Sequence, residues 1–231
     1  MIPRWLSLLS ALPLLATDAR TIARDLEARY QHATTLKASF FESYREGSEG
    51  TGGKRTGASG TVYFSRPGRM RWEYESPETK LFLVDGTNAW FYVPADHTAS
   101  RAKVKESSDW RTPIALLAGK ANLSQLCKQI DLVDPANTKS DEEKPLAAGD
   151  AVLRCEPRGD SATNDLLGVI LEIDSQDYLT RVVIREAGDV ETEFRFGNWQ
   201  ANIPISETQF HFQTPPGVAI VDEGSLENEL H

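Results

Sequence analysis

Residues Gly60 to Pro94, GTVYFSRPGRMRWEYESPETKLFLVDGTNAWFYVP, decide how this chain is read. Val62, Phe64 and Arg66 alternate onto one face of a strand, and after Pro67-Gly68 the residues Met70, Trp72 and Tyr74 alternate onto one face of the next. Arg69, Arg71, Glu73 and Glu75 take the opposite face, so one side is apolar and the other charged. Asp85-Gly86-Thr87-Asn88 separates Leu81 to Val84 from Ala89 to Val93, which predicts a hairpin. Both faces of Leu81 to Val84 are apolar, and its inward side stays open. The pattern predicts at least three consecutive antiparallel strands, built as a surface for holding something and carrying no catalytic grouping.

Working outward, the chain has 231 residues, 40% of them hydrophobic and 26% charged, enough for one sizeable core and short for two. Residues Met1 to Ala16 place Arg4 before an apolar run through Leu15, the length of an export leader and too short to span a bilayer. Pro13 inside that run argues against the alternative, a buried helix. The expected division is a leader at 1–19, a single domain at 20–222 and an acidic flexible tail at 223–231. Export is expected in place of anchoring, and the lack of a cysteine near the end of the apolar run excludes a lipid-modified terminus. A net charge of −9 disfavours nucleic acid and anionic membrane surfaces as partners. The acidic run Asp141-Glu142-Glu143 and the tail from Asp222 read as solvated loops.

Ile22, Leu26, Arg29, Tyr30 and Ala33 recur at helical spacing, with Asp18 or Thr21 as the cap. Leu36 to Tyr44 alternates as a strand, and Gly47 to Gly57, with five glycines, reads as a long mobile loop. After a polar stretch, Ala95 to Asp109, Thr112-Pro113 opens and Gly119 closes a short apolar helix that must be covered. Further strands are expected at Leu126 to Val133, Ala151 to Cys155, Leu167 to Ile173, Leu179 to Glu186, Val190 to Gly197 and Thr208 to Gln213. Many meandering strands with few helices predict a mainly β fold: one curved, antiparallel, barrel-like sheet with helices packed on it.

In an exported protein the pair Cys127 and Cys155 favours a disulfide, with two free buried thiols as the alternative. His32, His97, His211 and His231 have no metal-ligand spacing, and the chain has neither a phosphate-binding glycine motif nor a nucleophile elbow. The expectation is no metal, no cofactor and no enzyme.

The runs SGTVYFSRPGRMRWEY, LVDGTNAWFYVP, TPIALLAG and FHFQTPPGVAIVD, in this order and spacing, resemble the outer-membrane lipoprotein carrier protein family, LolA, from about Thr21 to Asp222. The resemblance implies an unclosed antiparallel β-barrel under an α-helical lid. It also implies a monomeric periplasmic carrier that takes acylated lipoproteins from an inner-membrane ATP-driven releasing complex to an outer-membrane receptor. The implied acyl-chain cavity is lined by Val62, Phe64, Met70, Trp72 and Tyr74, continued by Trp90 and Tyr92, and covered by Ile114 and Leu117. In this pattern the arginine before proline latches the lid through its backbone, and the matching residue is Arg66; the alternative is an arginine reaching solvent at the strand end. Arg69 stands where an apolar residue is common, and the Cys127 to Cys155 segment with its acidic insertion is not a general family feature. A related lipid-binding, glycolipid-binding or lipoprotein-sensing module of the same fold is the second reading.

Overall fold

The computed structural model describes residues 18–47, 54–104, 116–119, 122–138, 140–158 and 166–222. Residues 1–17 of the expected leader, the expected tail at 223–231, and Thr112, Pro113 and Ile114 of the expected short helix lie outside the described residues.

Helix α1 (Ala19–Gln31) starts where the Asp18 carboxylate accepts from the Thr21 N–H at 2.7 Å, so Asp18 and Ala19, inside the expected leader, already belong to the folded unit. Ala23, Leu26 and Tyr30 form its buried stripe. Twelve strands come after it: β1 (Thr35–Glu46), β2 (Lys54–Ser65), β3 (Arg69–Ser76), β4 (Lys80–Val84), β5 (Asn88–Val93), β6 (Thr98–Lys103), β7 (Cys127–Leu132), β8 (Ala151–Pro157), β9 (Leu166–Ile173), β10 (Leu179–Glu186), β11 (Val190–Ala201) and β12 (Ala219–Asp222). A one-turn helix, α2 (Leu123–Leu126), precedes β7 and carries a capping box between Asn122 and Gln125.

The strands form one sheet in the order β12-β6-β5-β4-β3-β2-β1-β11-β10-β9-β8-β7. Two meanders meet at β1, which pairs with β2 on one side and with β11 on the other. All neighbours are antiparallel except β12, which runs parallel to β6, and the sheet ends at β7 and β12 without closing on itself. Where β2 bends over β3, a Cβ at Gly60 would lie 1.9 Å from the Glu73 carbonyl oxygen. No side chain fits that crossing.

Several expectations need correction. Lys54 to Gly57, read as part of a mobile loop, extends β2, because it has β1 as a ladder partner through Glu46. The polar stretch after Pro94 contains β6, whose small residues Ala99 and Ala102 are buried between β5 and the edge. Thr208 to Gln213 is not a strand: Glu207–Phe210 is a 3-10 turn opened by the Ser206 side chain, and Phe212 just beyond it packs onto the outer face of the sheet. The alternation of Phe210 and Phe212 arises from that packing. Asp222, assigned to a solvated tail, ends β12 and pairs with Arg101 at 2.7 Å.

The acidic run is not a solvated loop either. Asp141–Glu143 is a 3-10 turn lying on the outer face of β8 to β11, where Glu142 and Glu143 each meet an arginine. Glu143 receives two hydrogen bonds from Arg154 at 2.7 Å, and Glu142 lies 3.0 Å from Arg185 and 3.6 Å from Arg45. The Arg154 guanidinium, first, and the Thr138 hydroxyl hold the Glu143 carboxyl down at about 2. At the centre, Arg181 and Glu172 form a buried pair at 2.8 Å. Arg181 also donates to the carbonyls of Glu142 and Lys144, and Glu172 accepts from the Leu146 N–H. Val133, Val152, Ile170 and Val183 make the apolar part of this outer layer.

Candidate functional site

The main apolar cluster lies on the other, concave face. Val62 and Phe64 reach it from β2, Met70, Trp72 and Tyr74 from β3, and Phe82 and Val84 from β4, which settles the inward side of that strand. Trp72 is its centre: ring centroids lie 4.8 Å away for Phe40, 5.5 Å for Phe194, 6.1 Å for Phe196 and 6.2 Å for Phe64. Such edge-on and tilted contacts each add about 0.5–1.5 kcal/mol beyond burial. Phe40, Phe194 and Phe196 are additions to the lining expected from sequence, although the alternation of Leu36 to Tyr44 and Val190 to Gly197 carries the signal.

Trp90 and Tyr92 do not continue this face. The tight turn after Val84 sets Ala89 opposite Val84 and Trp90 opposite Leu83, so Ala89 and Phe91 point inward and the two larger aromatics outward. There Trp90 stacks on Phe212 at 4.8 Å and donates from its indole N–H to Asp85, while Tyr92 meets Phe212 edge-on at 5.6 Å. The Arg69 guanidinium lies 5.8 Å over the Phe210 ring, so this arginine faces the outer layer and not the concave one.

The concave face is covered. Helix α1 lies across the β10 and β11 end, where the Tyr30 hydroxyl accepts from the Leu179 N–H at 3.0 Å and Arg29 donates to the Gln176 carbonyl at 2.8 Å. Burial drives the Tyr30 phenol far above its ordinary pKa, so it stays neutral. Residues 116–119 cover the opposite side, with Leu116, Leu117 and Ala118 buried in the same cluster. Their junction is at Arg66: the Gly68 N–H donates to the Ala118 carbonyl at 2.7 Å, and an Arg66 guanidinium N–H donates to the Ala33 carbonyl at 3.4 Å, just past α1. Gly119 has φ of +73°, and a Cβ there would sit 2.5 Å from Arg66 Nε. Burial lowers the Arg66 pKa, as expected of a guanidinium enclosed by apolar covers.

Downstream of this cover, Glu27 of α1 accepts from the Leu123 N–H, the first N–H of α2. Cys127 and Cys155 are joined, with their Cα atoms 5.4 Å apart, and tie the edge strand β7 to β8. At the other end of the concave face stands the Glu42 carboxylate, opposite Ala58 of β2 and Phe194 of β11. Burial pushes its carboxyl up, opposed by a hydrogen bond from the Tyr74 hydroxyl and by the charge of Lys80. Burial also raises the Tyr74 phenol, and Glu42 raises it further.

Residues 31–213 match the family described as outer membrane lipoprotein carrier protein LolA. The chain belongs to the LolA family. Among LolA relatives, the outer-membrane lipoprotein carrier protein of Nitrosospira multiformis is 27% identical over 210 residues, covering 90% of this chain and 92% of that protein. The carrier of Alkalilimnicola ehrlichii is 26% identical over 219 residues, covering 94% and 90%. A solved structure of an uncharacterised conserved protein from Thermus thermophilus superposes with a TM-score of 0.54 at 14% identity, covering 89% of this chain and 99% of that one, and shares the fold. LolA is a family of carriers and not of known enzymes. Its match stops at Gln213, short of β12, so the parallel edge strand lies beyond the matched region.

Proposed function

We propose that this protein is a periplasmic carrier, exported with its leader removed and working as a monomer. It buries the acyl chains of lipoproteins against Val62, Phe64, Met70, Trp72 and Tyr74, and passes them from an inner-membrane ATP-driven releasing complex to an outer-membrane receptor. The observation that carries this reading is an aromatic concave face shut away from water by two covers that meet over one arginine. An acyl chain retains about 0.8 kcal/mol of membrane affinity per methylene, so crossing water demands an apolar enclosure. Phe64 and Trp72 are at most 2% exposed, and a chain reaches them only when a cover moves. Release requires the opposite bias. A cover that prefers to close lowers net affinity by the free energy of opening, and Arg66, with Leu117 and its neighbours in residues 116–119, sets it.

Replacing Arg66 with Leu removes the guanidinium beneath Gly119. The variant is expected to accept lipoprotein but to transfer it to a receptor about tenfold more slowly, the equivalent of about 1.4 kcal/mol. Transfer at the wild-type rate would break the latch role. Mass spectrometry of material co-purifying from the periplasm tests the cargo: triacylated protein supports the carrier, and free glycolipid in its place overturns it.

A further inference from the structure

The concave face is not uniform along its length, and its polar end has no part in latching. On β1 the inward residues Leu36, Ala38 and Phe40 are sealed, whereas Glu42 and Tyr44 are half-buried, so the face opens towards solvent at their end. The sealed end is the one near Arg66, because Leu36 pairs with Phe64, two residues from it on β2. A carboxylate has no use in a surface that only packs apolar chains. Its strand neighbours Ala58 and Phe194 supply no side-chain donor, and burial opposes its charge.

We propose that Glu42, held by Tyr74 at the open end of the concave face, accepts hydrogen bonds from the amide head of the acylated cargo and selects acyl amides over free fatty acids. This rests on the carrier reading. A carboxylate offers about four lone-pair positions, and the Tyr74 hydroxyl uses one, leaving acceptor capacity for amide N–H groups. The groups that act on it are Tyr74 on β3 and Lys80 on β4, whose ammonium lies 5.4 Å over the Tyr74 ring; Tyr44 comes next on its own strand, and Glu186 on β10 acts on Tyr44. A fatty-acid carboxylate brought to Glu42 meets it as a like charge. An amide brings donors.

The dimensions agree. The strand from Leu36 to Glu42 spans about 20 Å at ordinary strand spacing. One leaflet of a bilayer gives an acyl chain about 15 Å, half of its hydrocarbon thickness. A chain whose head rests at Glu42 therefore runs past Phe40 and Trp72 and ends near Val62, which pairs with Ala38, short of Phe64 and Arg66. The head stays at the wet end and the latch closes behind the tail.

The test titrates the mature protein with two probes, an N-palmitoyl, S-dipalmitoylglyceryl cysteine peptide and sodium palmitate, by calorimetry below their critical micelle concentrations. Glu42→Leu is expected to weaken the lipopeptide at least tenfold and leave palmitate unchanged or tighter. Glu42→Gln, which keeps an acceptor carbonyl, is expected to lose about threefold. Retained palmitate binding reports that each variant is folded. Lipopeptide bound by Glu42→Leu as tightly as by wild type, or both probes weakened alike, overturns the role of Glu42 and leaves the carrier reading standing. Wild-type protein that binds neither probe overturns both.

Discussion

The two faces of this sheet are covered by opposite means. On the outer face of β8 to β11, the segment around Asp141–Glu143 is pinned by buried ion pairs and by arginine bonds to carbonyls, with Arg181 and Glu172 at the centre. On the concave face, residues 116–119 rest on Leu117 and its apolar neighbours, with a backbone hydrogen bond from Gly68 and one arginine beneath. Apolar contact is non-directional and tolerates sliding, while a buried ion pair is strongly destabilised once either partner is displaced. The outer cover is thus held by directional charge pairs and the concave cover chiefly by apolar contact.

The contrast breaks most readily at Arg181. Arg181→Ala leaves Glu172 buried without a counter-charge and should cost about 3–5 kcal/mol. The loss should appear in urea unfolding, with lipopeptide affinity unchanged wherever the protein is folded. A loss below about 1 kcal/mol would mean that the outer cover is not held by this pair. Next comes the disulfide. Cys127→Ser with Cys155→Ser frees a loop closed over a separation of 28 residues and should cost about 3–4 kcal/mol in the chain-entropy treatment, read by the same unfolding curves.

A smaller effect is expected at the concave cover. Gly119→Ala forces a β-carbon into the left-handed backbone region and against Arg66, a strain of about 1–3 kcal/mol borne by the closed form alone. Global stability should fall little, since the cover can open, but uptake of an apolar fluorescent dye should quicken by about tenfold. Unchanged uptake would remove Gly119 from the closing contact.

The sharpest contrast lies in the pH dependence of two carboxyls. Glu143 on the outer face has its folded value held at about 2, below the ordinary 4.5, so it stabilises the fold above about pH 4.5 and that contribution disappears as pH falls towards 2. Glu42 on the inner face has its folded value raised above 4.5, so the folded state holds its proton more firmly and stability is lost as pH rises through that window. Glu143→Gln should therefore lower the melting temperature near neutral pH and converge on wild type in acid. Glu42→Gln should raise it near neutral pH and lose that advantage by about pH 4.5. Melting curves across pH that moved both variants in the same direction would contradict the assignment of the two faces.

What the sequence makes legible depends on which forces leave a local pattern. Val62 to Tyr74 alternates apolar with charged residues, so both the strands and their inward face can be read there, as can Leu36 to Tyr44 and the strands from β7 to β11. Trp90 and Tyr92 mislead because Ala89 and Phe91 are apolar too, and only the pairing of Ala89 with Val84 decides between the faces. Thr208 to Gln213 misleads for a related reason: its aromatics alternate against a surface and not within a ladder. Of the outer ion pairs, Glu172 and Arg181 face each other across one hairpin, but Glu142 and Arg185 lie 43 positions apart, and no local spacing announces that contact. Glu42 looks like one polar residue in an alternating strand, since its burial depends on Phe194, far along the chain.

The seam at β1 has a consequence for how the protein comes into being. Leu36 pairs with Phe64 on one side and with Ala201 on the other, so one ladder closes a short loop and the other closes most of the chain. Each meander can form from near neighbours, but the groove between them exists only after the β1 to β11 ladder zips, a step of high contact order and correspondingly slow. A chain synthesised only as far as β10 lacks this groove, and the concave face is completed last and all at once.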